Sequence, residues 1–223
     1  MIIGYIRFKG RIEPLRYLLS YLDVQYTLRY HDHREWFRVK DLQNLDFPDL
    51  PYLIDGDKRI TDTQAIMTHI IFKYGKNELL GKPGKDEINF LTVYGVLKDV
   101  MDGFLRVVFS KEYAKTYEKT YKVLFSSKMR YMDRYLAEKE YLLGYMTAVD
   151  FILLALLDTF IVIETKLGRD LLINKHPKLK AFRERMLKLD FIRQVRENSD
   201  SKDFPIFSTL FSKIDTTGAY PKL

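Results

Sequence analysis

The chain predicts an α/β domain of β-α-β-loop-β-β-α order followed by an all-helical domain, on three observations. The apolar runs Tyr52-Leu53-Ile54 and Arg59-Ile60-Thr61 flank Asp55-Gly56-Asp57, a strong hairpin signal. The segment Gly75 to Lys85, GKNELLGKPGK, is rich in glycine and lysine, contains a proline and reads as a linker. Beyond it the strand patterns cease and only helical ones continue. The chain therefore divides into residues 1–75, a linker 76–85 and a helical part 86–223.

Met1-Ile2-Ile3-Gly4-Tyr5-Ile6 opens the chain as a short strand. Gly10 and Arg11 form a turn, and Glu13-Pro14 starts a helix with an acid and a proline in its first turn. Leu15, Leu18, Leu19 and Leu22 give that helix one apolar stripe. Tyr26 to Tyr30 reads as a second strand, and the polar segment from His31 to Leu45, with the sole tryptophan Trp36, shows no clear periodicity. The hairpin follows. Asp62 and Thr63 then suit a helix start, and the helix runs to about Tyr74. This order, with the polar segment at the place of the second helix, is that of a thioredoxin-like βαβαββα domain. In the second part, apolar positions from Phe90 to Val108 mark a long helix and Tyr117 to Tyr135 another. Thr147 to Asp150 forms a capping box ahead of a very apolar helix, and His176-Pro177 starts one more, through Leu189.

Two features of the hairpin region suggest a ligand. Leu50-Pro51 enters the first hairpin strand, where an X-Pro bond is a candidate cis bond that turns the Leu50 peptide groups toward an extended ligand. The helix start at Asp62-Thr63 offers N–H groups to an anion. A peptide backbone at one end and a carboxylate at the other describe a small acidic peptide.

Composition excludes several alternatives. The 223 residues, 47% hydrophobic, suffice for a sizeable core. No cysteine is present, which removes disulfides, thiolate metal sites and a cysteine nucleophile, and fits a reducing compartment. Met1 to Ile6 carries no basic leader, so the expected location is cytoplasmic. The longest apolar run, Phe151 to Ile163, is broken by Asp158 and is too short to span a bilayer. His31, His33, His69 and His176 form no ligand constellation beyond His31-Asp32-His33, which reads as a solvated turn, so no metal is expected. The net charge is +7, and Lys166 to Lys202 alone holds 11 basic against 5 acidic residues. A solvated helix face is the plain reading of that stretch; a docking surface for an acidic protein partner or larger assembly is the sharper one. No nucleic-acid motif accompanies it.

Along nearly its whole length the chain resembles a cytosolic glutathione transferase, most of all the mu class. The resemblance rests on Gly4-Tyr5, the Arg16 helix, Trp36 with Lys40, and the string Leu45 to Gly56 (LDFPDLPYLIDG). It continues through Asp62 to Ile66, Met101-Asp102, the Thr147–Asp150 box and His176-Pro177-Lys178-Leu179. It implies an enzyme that uses glutathione as co-substrate against a small hydrophobic electrophile. Tyr5 would donate a hydrogen bond to the glutathione thiolate. Leu50, positioned by Pro51, would pair with the cysteinyl backbone, Thr63 would hold the γ-glutamyl carboxylate, and Trp36 and Lys40 the glycyl end. Asp62 could meet the γ-glutamyl ammonium, as would Asp102 from across a homodimer sealed by Phe47. Ile6, Arg11, Phe104 and Phe207 would line the electrophile site, with an assisting tyrosine near Glu112 or Tyr113.

Departures from the mu pattern predict weaker glutathione binding. Ile6 replaces a tryptophan, His33 falls near an arginine position, Asp62 replaces a glutamine, Asp49 an asparagine, and Thr68 an arginine of the two-fold interface. They leave a second reading open, a non-catalytic scaffold of the same fold within a larger assembly.

Overall fold

The computed structural model describes residues 1–208, 212 and 214. Its first half is a four-stranded sheet with helices packed on it. The order is β1 (Ile2–Ile6), α1 (Glu13–Tyr21), β2 (Thr27–His31), α2 (His33–Val39), β3 (Tyr52–Asp55), β4 (Lys58–Thr61) and α3 (Thr63–Lys73). The strands lie β2-β1-β3-β4. β1 runs parallel to β2, with Tyr5 opposite Tyr30, and antiparallel to β3, with Gly4 opposite Tyr52. Gly4 is required by that register, because a Cβ there would stand 2.1 Å from the Tyr52 ring. The hairpin forms as expected, Asp55 pairing Lys58 around Gly56, whose φ of +62° suits a residue without a Cβ.

The segment without periodicity holds α2. Its seven residues are too few to display an apolar stripe, and its start is set by chemistry instead. The Asp32 carboxylate accepts from the Glu35 N–H at 2.7 Å while Glu35 reaches back to the Asp32 N–H at 3.3 Å, a reciprocal cap.

The rest is helical: α4 (Glu87–Val108), α5 (Tyr113–Thr120), α6 (Ser126–Leu136), α7 (Ala148–Lys166), α8 (Pro177–Met186) and α9 (Asp190–Glu197). The helix expected from Tyr117 to Tyr135 is α5 and α6 joined by a π turn over Tyr121–Phe125. The one expected to run through Leu189 ends at Met186, and α9 follows as a separate helix.

α7 is the axis of this half. Its start is held by the Asp150 carboxylate, which accepts from the N–H groups of Thr147 and Leu142 at 2.8 and 2.9 Å. Burial pushes Asp150 up to about 6. Asp158, the acid that interrupts the apolar run, is buried and accepts from Arg183 of α8 at 2.8 Å and from Arg196 of α9. It is the anchor of both helices. Arg169 and Lys178 likewise pair with Glu118 and Glu138, so carboxylates from elsewhere neutralise part of the basic excess between 166 and 202. Among the described residues no helix is long and apolar enough to cross a membrane.

Candidate active site

A cleft of about 610 Å³ opens between the two halves of the molecule. Most of the residues singled out in the sequence line it, including Tyr5, Ile6 and Arg11 from β1 and the following turn. Trp36 and Lys40 come from the α2 region, Leu50 from the approach to β3, and Asp62 and Thr63 from the start of α3. Asp102 and Phe104 of α4, with Phe207, complete the far side.

Tyr5 is 3% exposed at the end of β1. Its hydroxyl accepts the Arg11 N–H at 3.0 Å, so its own proton is free to donate. Burial pushes the phenol upward from its ordinary value, and the hydroxyl stays protonated at neutral pH. The turn runs close against this hydroxyl. Gly10 has φ +35°, and a Cβ there would lie 2.7 Å from the Tyr5 hydroxyl. This is a neutral donor with one direction left to point.

The polar end has two polypeptide features. The Leu50–Pro51 bond is cis; Pro51 itself is buried and does not line the cleft. The Leu50 N–H is covered by its neighbour, donating to Asp49 Oδ1 at 2.8 Å. At the α3 start, Asp62 Oδ1 accepts from the N–H groups of Gln64 and Ala65 at 2.9 and 3.1 Å. The carboxylate expected near the anion site is therefore the helix cap, held at φ +76°. Thr63 lines the cleft beside it, its hydroxyl donating to the Arg11 carbonyl at 3.3 Å. Asp62 and Asp49 thus occupy backbone N–H groups at this end of the cleft.

Trp36 is 5% exposed and stacks on Tyr52, ring centres 5.6 Å apart, so packing fixes its place. His31 completes that cluster, Nε2 lying 2.9 Å from the Tyr52 hydroxyl. His33 also lines the cleft and meets the Ser208 hydroxyl. Asp102, whose carboxylate is 39% exposed, pairs with Lys98 at 2.7 Å, so the acid in the apolar helix has a partner one turn away.

The other end of the cleft is apolar. Phe104 packs against Phe125 and Phe160, ring centres 4.7 and 4.5 Å away. Glu112 and Tyr113 are absent from the lining, which Leu105 and Phe109 of the α4 end supply instead. Phe8 and, on α7, Ala155 and Thr159 also line this end. The sequence carries one signal for the last two, small residues four apart in a bulky helix. Phe47 lies outside the cleft, 79% exposed, and Phe72, Ile88 and Leu91 are exposed apolar residues too. Among the described residues no group of three or more His, Cys, Asp or Glu could hold a metal ion.

Comparison with known proteins bears on this arrangement. Residues 98–199 match the family model described as glutathione S-transferase, C-terminal domain. The chain is 31% identical over 207 residues to the glutathione S-transferase class-mu 26 kDa isozyme of Schistosoma mansoni, covering 91% of each chain. It is 30% identical over 219 residues to glutathione S-transferase Mu 1 of Rattus norvegicus, covering 94% of this chain and 96% of that one. A crystal structure of the glutathione S-transferase Blo t 8 superposes with a TM-score of 0.84 at 20% identity, over 97% of this chain and all of that one.

Proposed function

This chain belongs to the glutathione S-transferase family, most like its mu class, and we propose that it conjugates glutathione thiolate to small hydrophobic electrophiles. The observation that carries the proposal is one cleft with a buried tyrosine hydroxyl at its centre. A cis-proline strand entry and a helix start lie at one end and an apolar compartment at the other. Residues 1–75 form the glutathione-binding domain, 76–85 the linker, and 86–223 the domain contributing the electrophile compartment.

A thiol near pKa ~8.5 must ionise to react at neutral pH. Tyr5, kept neutral by burial, donates its proton as a hydrogen bond to the sulfur and so favours the anion. The Arg11 N–H, bonded to the same oxygen, polarises the hydroxyl and fixes its direction. The γ-glutamyl carboxylate meets Thr63 and the α3 start, the ammonium meets Asp62 or Asp102, the cysteinyl backbone meets Leu50, and the glycyl end meets Trp36 and Lys40. For Leu50 to pair with the ligand, Asp49 must release its N–H. The thiolate sulfur then bonds to the electrophilic carbon of a molecule held among Ile6, Arg11, Phe104, Phe109 and Phe207. It either expels a leaving group such as halide with its bonding pair or adds to an activated double bond whose carbanion takes a proton from water. No step requires a metal.

The exposed apolar residues Phe47, Phe72, Ile88 and Leu91 favour a homodimer. A cytoplasmic location accords with the cysteine-free composition. The scaffold reading draws on the basic stretch, and the pairing of Arg183, Arg196, Arg169 and Lys178 with acids weakens it. Calorimetric titration with glutathione tests the proposal. Binding in the micromolar to low-millimolar range is expected, with turnover of a generic aryl halide; no heat and no ligand-induced rise in melting temperature would sink it.

A further inference from the structure

After α9 the chain turns over residues 199–203 and then runs beside the α/β half. The turn following β1 holds it by a short ladder, with the Lys9 N–H donating to the Pro205 carbonyl at 2.8 Å and the Gly10 N–H to the Ile206 carbonyl at 3.0 Å. The Lys9 side chain runs inward and is 2% exposed. Its ammonium donates to the carbonyls of Lys202 at 2.9 Å and Phe204 at 2.5 Å. Burying an ammonium is costly unless its donors are met, and these two carbonyls converge on it. On the far edge Phe204 meets the Tyr30 ring edge-on, centres 5.2 Å apart, and Ser208 meets His33.

The strap has a job at the cleft. Ile206 and Phe207, 4% and 8% exposed, line the apolar compartment together with Ala155 and Thr159 of α7. A space of about 20 Å³ beside Lys9, Ile206 and Thr159 adjoins this wall. The position of the wall follows from where the strap is tied, and the Lys9 ammonium is the one buried charge in that tie, beside the two backbone bonds.

We propose that Lys9 is a positioning residue that sets electrophile specificity, by clamping residues 202–207 so that Ile206 and Phe207 wall the apolar compartment. The proposal rests on the glutathione-transferase reading. Removing the clamp frees the wall without touching Tyr5, Leu50 or Thr63. The substituent on sulfur therefore loses contacts, and the glutathione moiety keeps its own.

The test compares S-methylglutathione with S-hexylglutathione by calorimetry, and follows hydrogen exchange of the 202–207 amides. Wild-type protein should prefer the hexyl compound. Lys9→Met should cut that preference about tenfold, the equivalent of two buried methylenes, leave S-methylglutathione binding within about twofold, and speed exchange in the strap. Lys9→Arg, which keeps a donor, should restore the preference. Ile206→Ala, cut from the wall itself, should reproduce the loss should Lys9→Met fold poorly. A hexyl preference surviving in folded Lys9→Met, or in Ile206→Ala, overturns the proposal. If wild-type protein binds neither compound, the glutathione reading fails instead. Unchanged strap exchange in Lys9→Met would then overturn the clamp on its own.

Discussion

Replacing Tyr5 with phenylalanine separates two jobs of one hydroxyl. The first is chemical: a hydrogen bond to a charged group contributes about 1.5–3 kcal/mol. At 1.36 kcal/mol per unit, its loss should raise the pKa of bound glutathione by about 1–2 units. The assay is the ultraviolet absorbance of the bound thiolate, titrated in wild type and Tyr5→Phe. The rate of conjugation below the thiol's pKa should fall about 10- to 100-fold with it. The second job is structural. The Arg11 N–H donates to this oxygen at 3.0 Å beside a side chain only 3% exposed, so the variant leaves a donor unmet. That should lower stability by about 1–3 kcal/mol, read from urea unfolding. An unchanged thiol titration, in a variant that binds glutathione normally, refutes the assignment of Tyr5 to the sulfur. Lost stability with unchanged titration would mean that the hydroxyl only braces the turn.

Other predictions follow from neighbouring geometry. Gly10→Ala puts a Cβ within 2.7 Å of the Tyr5 hydroxyl at φ +35°; it should destabilise by at least about 1 kcal/mol and depress conjugation more than glutathione affinity, measured by steady-state kinetics. Asp158→Ala leaves Arg183, 1% exposed, without that carboxylate, and should cost about 3–5 kcal/mol in denaturant unfolding. Hydrogen bonds from His69 and Lys73 hold the Asp55 carboxyl below its ordinary value. A depressed acid stabilises the fold above its unfolded pKa, and this contribution disappears as pH falls through the folded one. Asp55→Asn should therefore melt below wild type at pH 7, and the gap should close under acid, at pH values below about 4. A gap that stays constant down to pH 2 would rule out ionisation as its source.

The elements that were legible in the sequence announce themselves within a few residues. Asp55-Gly56-Asp57 between apolar runs yields a hairpin because only a tight turn suits it, and Thr147 to Asp150 marks a helix start through its own side chains. The position of Tyr5 in the cleft came from resemblance, since nothing local separates it from the other fifteen tyrosines. Less was visible where distant segments meet. α2 has a cap but no stripe. Asp158 draws one arginine from α8 and one from α9, contacts spanning 25 and 38 residues. Lys9 looks like any surface lysine until the carbonyls of Lys202 and Phe204 arrive from almost two hundred residues away. Phe109 stands in the cleft wall where Glu112 or Tyr113 was expected, because α4 ends at Val108, before those two residues.

The π turn between α5 and α6 has a consequence for how the chain tolerates changes in length. A π turn carries one residue more than the α-helix around it, with the extra residue bulged out while the flanking turns keep their phase. Here it sets Phe125 close against α4 at Gly103, whose missing Cβ would lie 2.6 Å from that ring, and so behind Phe104 at the cleft wall. Deleting a single residue within 121–125 should therefore let α5 and α6 fuse into one regular helix, with Tyr117 and Met129 still facing inward. The same deletion elsewhere in α6 would rotate its buried face by about 100°. This pair of helices can thus lose one residue at that turn, whereas the length of α7, with its capped start and its middle carboxylate engaged, is locked.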